Sequence, residues 1–247
     1  MRRVDWLSER PFTLLLSAGF FGFFSHAGFL AALEETGLRP RRVVGVSAGA
    51  LAGGLWASGL SAQRLARELL ALRREDFWDP GPPLGGLLRG RKFAGLLDQL
   101  LGEAGVSRLE DCRVPFTAIA HDVLRGSTLA LDRGPISVAI RASCTVPFMF
   151  RPVWSEGRLL VDGGVSDRSG FTALRTGERV LFHHLPSRRP GAPPSPEAVP
   201  GADAQMLVTP WLPRVTPFRL GQGRTALERT RHYVRCWLNE PASALRG

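Results

Sequence analysis

Gly45-Val46-Ser47-Ala48-Gly49 constrains this chain more than any other segment. It joins an apolar run, Val43-Val44, to an alanine- and leucine-rich stretch over residues 50–57. A G-x-S-x-G pentapeptide in that context predicts a strand, a sharp turn and a helix, with the serine at the corner. Gly45 and Gly49 must be small because a side chain at either position would run into the crossing backbone. The Ser47 hydroxyl then stands at a helix N-terminus, where the dipole and unpaired N–H groups favour developing negative charge. The plainer alternative is a small-residue turn that happens to contain serine, and the strand–turn–helix context argues against it.

A serine is a weak nucleophile without a base. The segment Leu159-Leu160-Val161-Asp162-Gly163-Gly164-Val165 reads as a short buried strand that ends in an acid and two glycines. Asp162 in that position would face a neighbouring site unobstructed, although an ordinary Asp-Gly turn has the same pattern. Upstream, Thr13-Leu14-Leu15-Leu16 is strand-like and Ser17-Ala18-Gly19-Phe20-Phe21-Gly22 follows it. A small-residue loop between strand and helix presents backbone N–H groups, as an oxyanion hole requires. A tight turn without a ligand is the alternative there.

Taken in order, these segments resemble the patatin-like phospholipase family. The resemblance rests on residues 16–33 (LSAGFFGFFSHAGFLAAL), on Gly45-Val46-Ser47-Ala48-Gly49 with Ala50, on residues 141–153 (RASCTVPFMFRPV), and on Asp162-Gly163-Gly164. Val114-Pro115-Phe116, Ala120-His121-Asp122 and Gly126 also fit. The match covers roughly residues 12–170. It implies a three-layer α/β/α fold with a mainly parallel central sheet. It also implies a Ser–Asp dyad without histidine: Ser47 as nucleophile, Asp162 as proton acceptor, and the N–H groups of Ala18, Gly19 and Phe20 around the oxyanion. The implied substrate is a lipid ester, a phospholipid or an acylglycerol, with no cofactor and no metal. Two departures stand out. Ser17-Ala18-Gly19 replaces a run of glycines, and Asp167-Arg168-Ser169-Gly170 replaces the family's Asn-Pro pair.

Two other readings stay open. An α/β-hydrolase triad would follow the chain order Ser47, Asp162, then His183 or His184. A non-catalytic lipid-binding protein of the same fold would keep the motifs without the chemistry. His183, His184, His121 and His26 otherwise read as structural histidines. Phe20, Phe21, Phe23, Phe148 and Phe150 lie near the motifs, either lining an acyl channel or filling core.

The chain of 247 residues is long enough for a single α/β domain spanning 1–247. Its net charge is +10, and with Lys92 as its one lysine the excess is arginine. Arginine forks suit phosphate, so peripheral contact with an anionic membrane surface is an expected partnership. No basic block with interleaved aromatics points to nucleic acid. Cys112, Cys144 and Cys236 are odd in number and scattered, which suits free thiols in a reducing, cytoplasmic setting. Met1-Arg2-Arg3 before the apolar residues 14–33 imitates a signal peptide or membrane span. Asp5, Glu9, His26 and the glycines Gly19, Gly22 and Gly28 argue for a buried strand, loop and helix instead.

Expected strands cover residues 11–16, 42–46, 116–120, 128–131, 159–161, 180–182 and 206–208. Expected helices cover 23–35, 48–57, 61–74, 93–103, 137–141 and 225–238. The proline-rich stretch 186–202 reads as an exposed loop.

Overall fold

Residues 14–16 and 43–46 are uncharged and mostly apolar at successive positions, which suits strands covered on both faces. In the computed structural model, which describes residues 1–82, 85–186 and 203–242, they lie at the centre of a mixed, mainly parallel sheet. The strands are β1 (Thr13–Leu16), β2 (Arg42–Val46), β3 (Gly86–Leu88), β4 (Phe116–Asp122), β5 (Ser127–Leu131), β6 (Phe148–Phe150), β7 (Val153–Ser155), β8 (Arg158–Asp162), β9 (Arg179–His184) and β10 (Asp203–Val208). The helices are α1 (Arg3–Glu9), α2 (Phe23–Glu35), α3 (Ala48–Ala57), α4 (Ala62–Ala71), α5 (Arg91–Ala104), α6 (Ile136–Ser143) and α7 (Gln222–Asn239). The main sheet runs β10-β9-β1-β2-β4-β8-β7, with β5 also on β4, while β3 and β6 form a separate parallel pair.

Alternation divides the core. Leu14, Leu16, Val43 and Leu181 face a large cluster built with the helices. Leu15, Val44, Val46 and Phe182 face the other way, under Phe171, Ala173 and Leu174. α2 and α3 are buried along nearly their whole length, which explains their apolar composition on every side. α4 is amphipathic instead, and Ser61 caps it by accepting the Arg64 N–H at 3.2 Å. The apolar N-terminal run thus becomes a buried strand, a loop and a helix. No helix among the described residues is long and apolar enough to cross a membrane.

β4 positions the site. β2 runs parallel to it and ends with Val46 opposite Ile119, whereas β8 runs antiparallel and ends with Asp162 opposite Ala120. β5 lines β4 from Ala118 to Asp122, so β2 and β8 share the other edge. Their C-terminal ends therefore meet head to head beside consecutive residues. Ser47 follows one end and Asp162 closes the other.

Four elements, α1, β3, β6 and β7, were not anticipated. α1 is held from outside itself: the Arg179 guanidinium lies 4.0 Å from the Trp6 ring centroid, and Arg3 lies 4.4 Å from that of Trp237. β3 and β6 are three-residue strands, too short to leave a periodic signal. Of the proline-rich stretch, residues 187–202 lie outside the described residues.

Candidate active site

Ser47 has φ 53° and ψ −116° at the junction of β2 and α3. Such a conformation costs a non-glycine residue roughly 1–3 kcal/mol and persists only where the surroundings enforce it. A Cβ on Gly45 would lie 2.6 Å from the Gly49 carbonyl oxygen, and one on Gly49 would overlap the Leu16 carbonyl. Both glycines are thus required by close backbone crossing.

The end of α6 and the residues after it fasten both ends of the pair. The Ser47 N–H donates to Ser143 Oγ at 2.9 Å, and that hydroxyl donates to the Ile119 carbonyl at 2.6 Å. Cys144 Sγ donates to the Ser47 carbonyl at 3.1 Å. The Thr145 carbonyl accepts the Asp162 N–H at 2.8 Å. Asp162 itself is buried, and its Oδ1 accepts the Gly164 N–H at 2.7 Å. Burial pushes its carboxyl up to about 6, against the opposing pull of the Ser47 side-chain hydrogen bond, the Gly164 N–H and the Arg168 charge. Gly163 is glycine because a Cβ there would overlap the Ile119 carbonyl, and a Cβ on Gly164 would sit 3.1 Å from that of Ala18. The Ser-Cys-Thr run was visible as a motif, but its bracing role has no sequence signal.

The loop from Ser17 to Gly22 approaches from β1. The Ala18 N–H already donates to the Arg168 carbonyl at 2.8 Å. The Gly19 and Phe20 N–H groups have no acceptor among the described residues. Phe21 has φ 55°, and the Gly22 N–H closes the loop onto the Gly19 carbonyl at 2.9 Å. Arg168 thus anchors the loop from behind through its main chain, a role its sequence position does not announce.

His26 and His183 are buried together, with Nδ1 atoms 2.9 Å apart. His26 Nε2 meets the Ser17 carbonyl at 2.9 Å, and a carbonyl can only accept, so that nitrogen carries the proton. In neutral His26 the Nδ1 then accepts from His183 Nδ1–H, and His183 Nε2, 3.2 Å from Thr209 Oγ1, accepts the hydroxyl proton. Burial lowers His26 to about 4 and His183 well below its usual range. Both ring nitrogens of His183 are therefore committed to His26 and Thr209. His184 is buried with Nδ1 unpartnered among the described residues, and His121 Nδ1 pairs with Ser166 Oγ at 3.0 Å.

Beside Ser47 opens an apolar channel of about 90 Å³. Gly19, Phe20 and Ala48 line its mouth with Ser47, and Leu55, Leu69, Phe93, Leu97 and Leu100 lie along it. Phe20, Phe21, Phe23 and Phe150 line it, while Phe148 is 86% exposed and outside it. Among the described residues, no three His, Cys, Asp or Glu side chains are grouped to hold a metal.

The sequence model of the patatin-like phospholipase family matches residues 14–175, and the chain belongs to that family. It is 30% identical over 207 residues to an uncharacterized NTE family protein of Mycobacterium tuberculosis, covering 83% of this chain and 57% of that one. It is 28% identical over 171 residues to the neuropathy target esterase sws of Drosophila persimilis, covering 66% of this chain and 12% of the relative. The chain thus spans just over half the length of the first of these relatives and a small part of the second. Among solved structures, VipD from Legionella pneumophila superposes with a TM-score of 0.56 at 12% identity, over 92% of this chain and 66% of that one. ExoU, in its complex with SpcU from Pseudomonas aeruginosa, gives 0.51 at 18% identity, over 93% and 52%. These likenesses establish a shared fold.

Proposed function

We propose that this chain is a serine acyl hydrolase that cleaves lipid esters, of phospholipase A, lysophospholipase or acylglycerol lipase type. The observation that carries the reading is Ser47, in an enforced strained conformation beside an apolar channel, brought together with the buried Asp162, whose carboxyl feels the Ser47 side chain. The family and the esterase named among the relatives support the same class.

In the reaction, the acyl chain enters the channel and the ester carbonyl lies over Ser47. Ser47 Oγ attacks that carbon while its proton passes to Asp162. A carboxylate is a poor base for a serine hydroxyl, so the raised affinity of Asp162 for protons is an advantage. The Gly19 and Phe20 N–H groups bind the oxyanion, with the Ala18 N–H occupied in holding the loop. The tetrahedral adduct collapses, and the alcohol leaves with the proton held by Asp162. Water then attacks the acyl-serine, gives its proton to Asp162, and the acid departs as Ser47 recovers its own.

Labelling with a fluorescent fluorophosphonate tests this. Wild type is expected to label, Ser47→Ala to lose all label and Asp162→Asn to label weakly. Labelling that persists in Ser47→Ala places the nucleophile elsewhere and overturns the reading. A folded wild type that neither labels nor hydrolyses esters supports the non-catalytic alternative.

A further inference from the structure

Among the described residues, four of the five non-glycine residues with positive φ gather at one end of the molecule. Phe21 and Ser47 line the channel, and Phe148 (φ 66°) and Trp211 (φ 54°) stand outside it. The fifth, Glu156, sits in the β7–β8 turn. Phe148 and Trp211 are 86% and 88% exposed. The backbone is thus strained at two bulky aromatics whose side chains gain no burial, which argues for a use of the exposed rings.

Their neighbours are alike. Phe20 is exposed at the channel mouth, Leu87 is exposed at the middle of β3, and Phe218 is exposed before α7. One groove joins Phe20, Leu87, Met149 and Phe218, and a second joins Phe20 to Trp211, so both are continuous with the channel through Phe20. Arg214 lines both grooves, Arg219 the first and Arg168 the second, with no carboxylate among the described residues of either lining. The Arg74 guanidinium lies 5.5 Å from the Phe218 ring centroid. Apolar side chains this large and this clustered mark an interaction surface.

We infer that this end of the molecule docks on an anionic lipid surface, with Phe148, Trp211 and Phe218 entering the headgroup region and Arg214 and Arg219 held at its phosphates. Exposed aromatics suit the bilayer interface, and arginines in linings without a carboxylate among the described residues suit its negative charge. The choice of a bilayer as occupant rests on the acyl-hydrolase reading, because docking here brings the channel mouth to the plane where lipid esters lie. An acyl chain then passes from bilayer to channel over Phe20 without crossing bulk water.

The test is sedimentation of the full chain with phosphatidylcholine vesicles, alone and mixed with phosphatidylserine, together with hydrolysis of soluble p-nitrophenyl butyrate. The triple change Phe148→Ser, Trp211→Ser, Phe218→Ser alters exposed side chains only. It is expected to weaken vesicle binding at least about tenfold and to leave butyrate hydrolysis unchanged. Arg214→Gln with Arg219→Gln is expected to remove most of the preference for mixed vesicles, about tenfold, and to flatten its salt dependence. Unchanged vesicle binding by the triple variant overturns the inference. So does a wild type that binds neither vesicle, which leaves the surface to a protein partner. Vesicle binding lost in the triple variant, with no ester hydrolysed by wild type, keeps the docking face and rejects the hydrolase.

Discussion

Ser143 Oγ accepts the N–H of Ser47 at 2.9 Å and donates its own O–H to the Ile119 carbonyl, so one hydroxyl ties the elbow to the strand beside Asp162. It bridges β2 and β4 just past their last pair, Val46 opposite Ile119, where the chain turns away at Ser47. Ser143→Ala leaves a donor and an acceptor unpaired, with a cost of about 1–3 kcal/mol for each buried group. We expect a lower Tm and a kcat reduced about 10–100-fold with KM nearly unchanged, because positioning rather than binding is lost. Steady-state kinetics on a soluble ester, beside thermal melts, checks both; an unaltered kcat would show that the brace is dispensable.

Asp162 carries opposite consequences for activity and stability. Its carboxyl titrates at about 6 when folded against an ordinary 3.8. The ionised form accepts the proton, so kcat/KM is expected to fall about tenfold per pH unit below that point and to level off above it. Stability runs the other way: the folded chain binds the extra proton between the two values, so stability decreases as pH rises from about 3.8 to about 6. Above that the carboxylate costs a constant amount, about 3 kcal/mol. Asp162→Asn is therefore expected to raise the Tm near neutral pH while lowering kcat at least about 100-fold. A variant that is both inactive and less stable would contradict the desolvated-base account.

What the sequence disclosed was local and covalently close. Arg42–Val46, Ala48–Ala57 and Phe23–Glu35 fall where periodicity and glycine placed them. Ser47 stands out by its own motif and Asp162 only through the family resemblance, and 115 residues separate them (162 minus 47). Their meeting depends on β2 and β8 running in opposite senses along one edge of β4, which no local pattern encodes. The same holds for Ala18, whose N–H is spent on Arg168, a residue distant in sequence. Likewise, Phe148 reads by type as channel lining or core, and it is neither: it has φ 66° and is exposed.

The buried histidine pair makes the loop acid-sensitive. The bonds from Thr209 through His183 and His26 to Ser17 need both rings neutral. His26 titrates at about 4 in the fold and near 6.5 in the unfolded chain. Between those values the unfolded chain binds the additional proton, so stability is lost as pH falls from about 6.5, reaching about 3 kcal/mol by about 4. His26→Gln lacks that proton-binding site. It is expected to be less stable than wild type near neutral pH, with the gap narrowing in acid. Urea unfolding at about pH 7.5 and about pH 5 checks this, and a gap of constant size would refute it.

Chain-length preference follows from the channel's lining. Leu97 and Leu100 project from α5 into the channel and are buried. Leu100→Phe or Leu97→Phe adds bulk there at a cost of about 1–3 kcal/mol from overpacking, tolerable in a domain of ordinary stability. Neither residue belongs to the elbow, to the Asp162 turn or to the loop from Ser17 to Gly22. Hydrolysis of p-nitrophenyl butyrate should therefore stay within about twofold of wild type. Hydrolysis of p-nitrophenyl palmitate should fall about tenfold or more, since each displaced methylene forfeits about 0.8 kcal/mol of burial. Comparing kcat/KM across the chain-length series reads this directly. Equal losses on short and long esters would mean that the acyl chain takes another route.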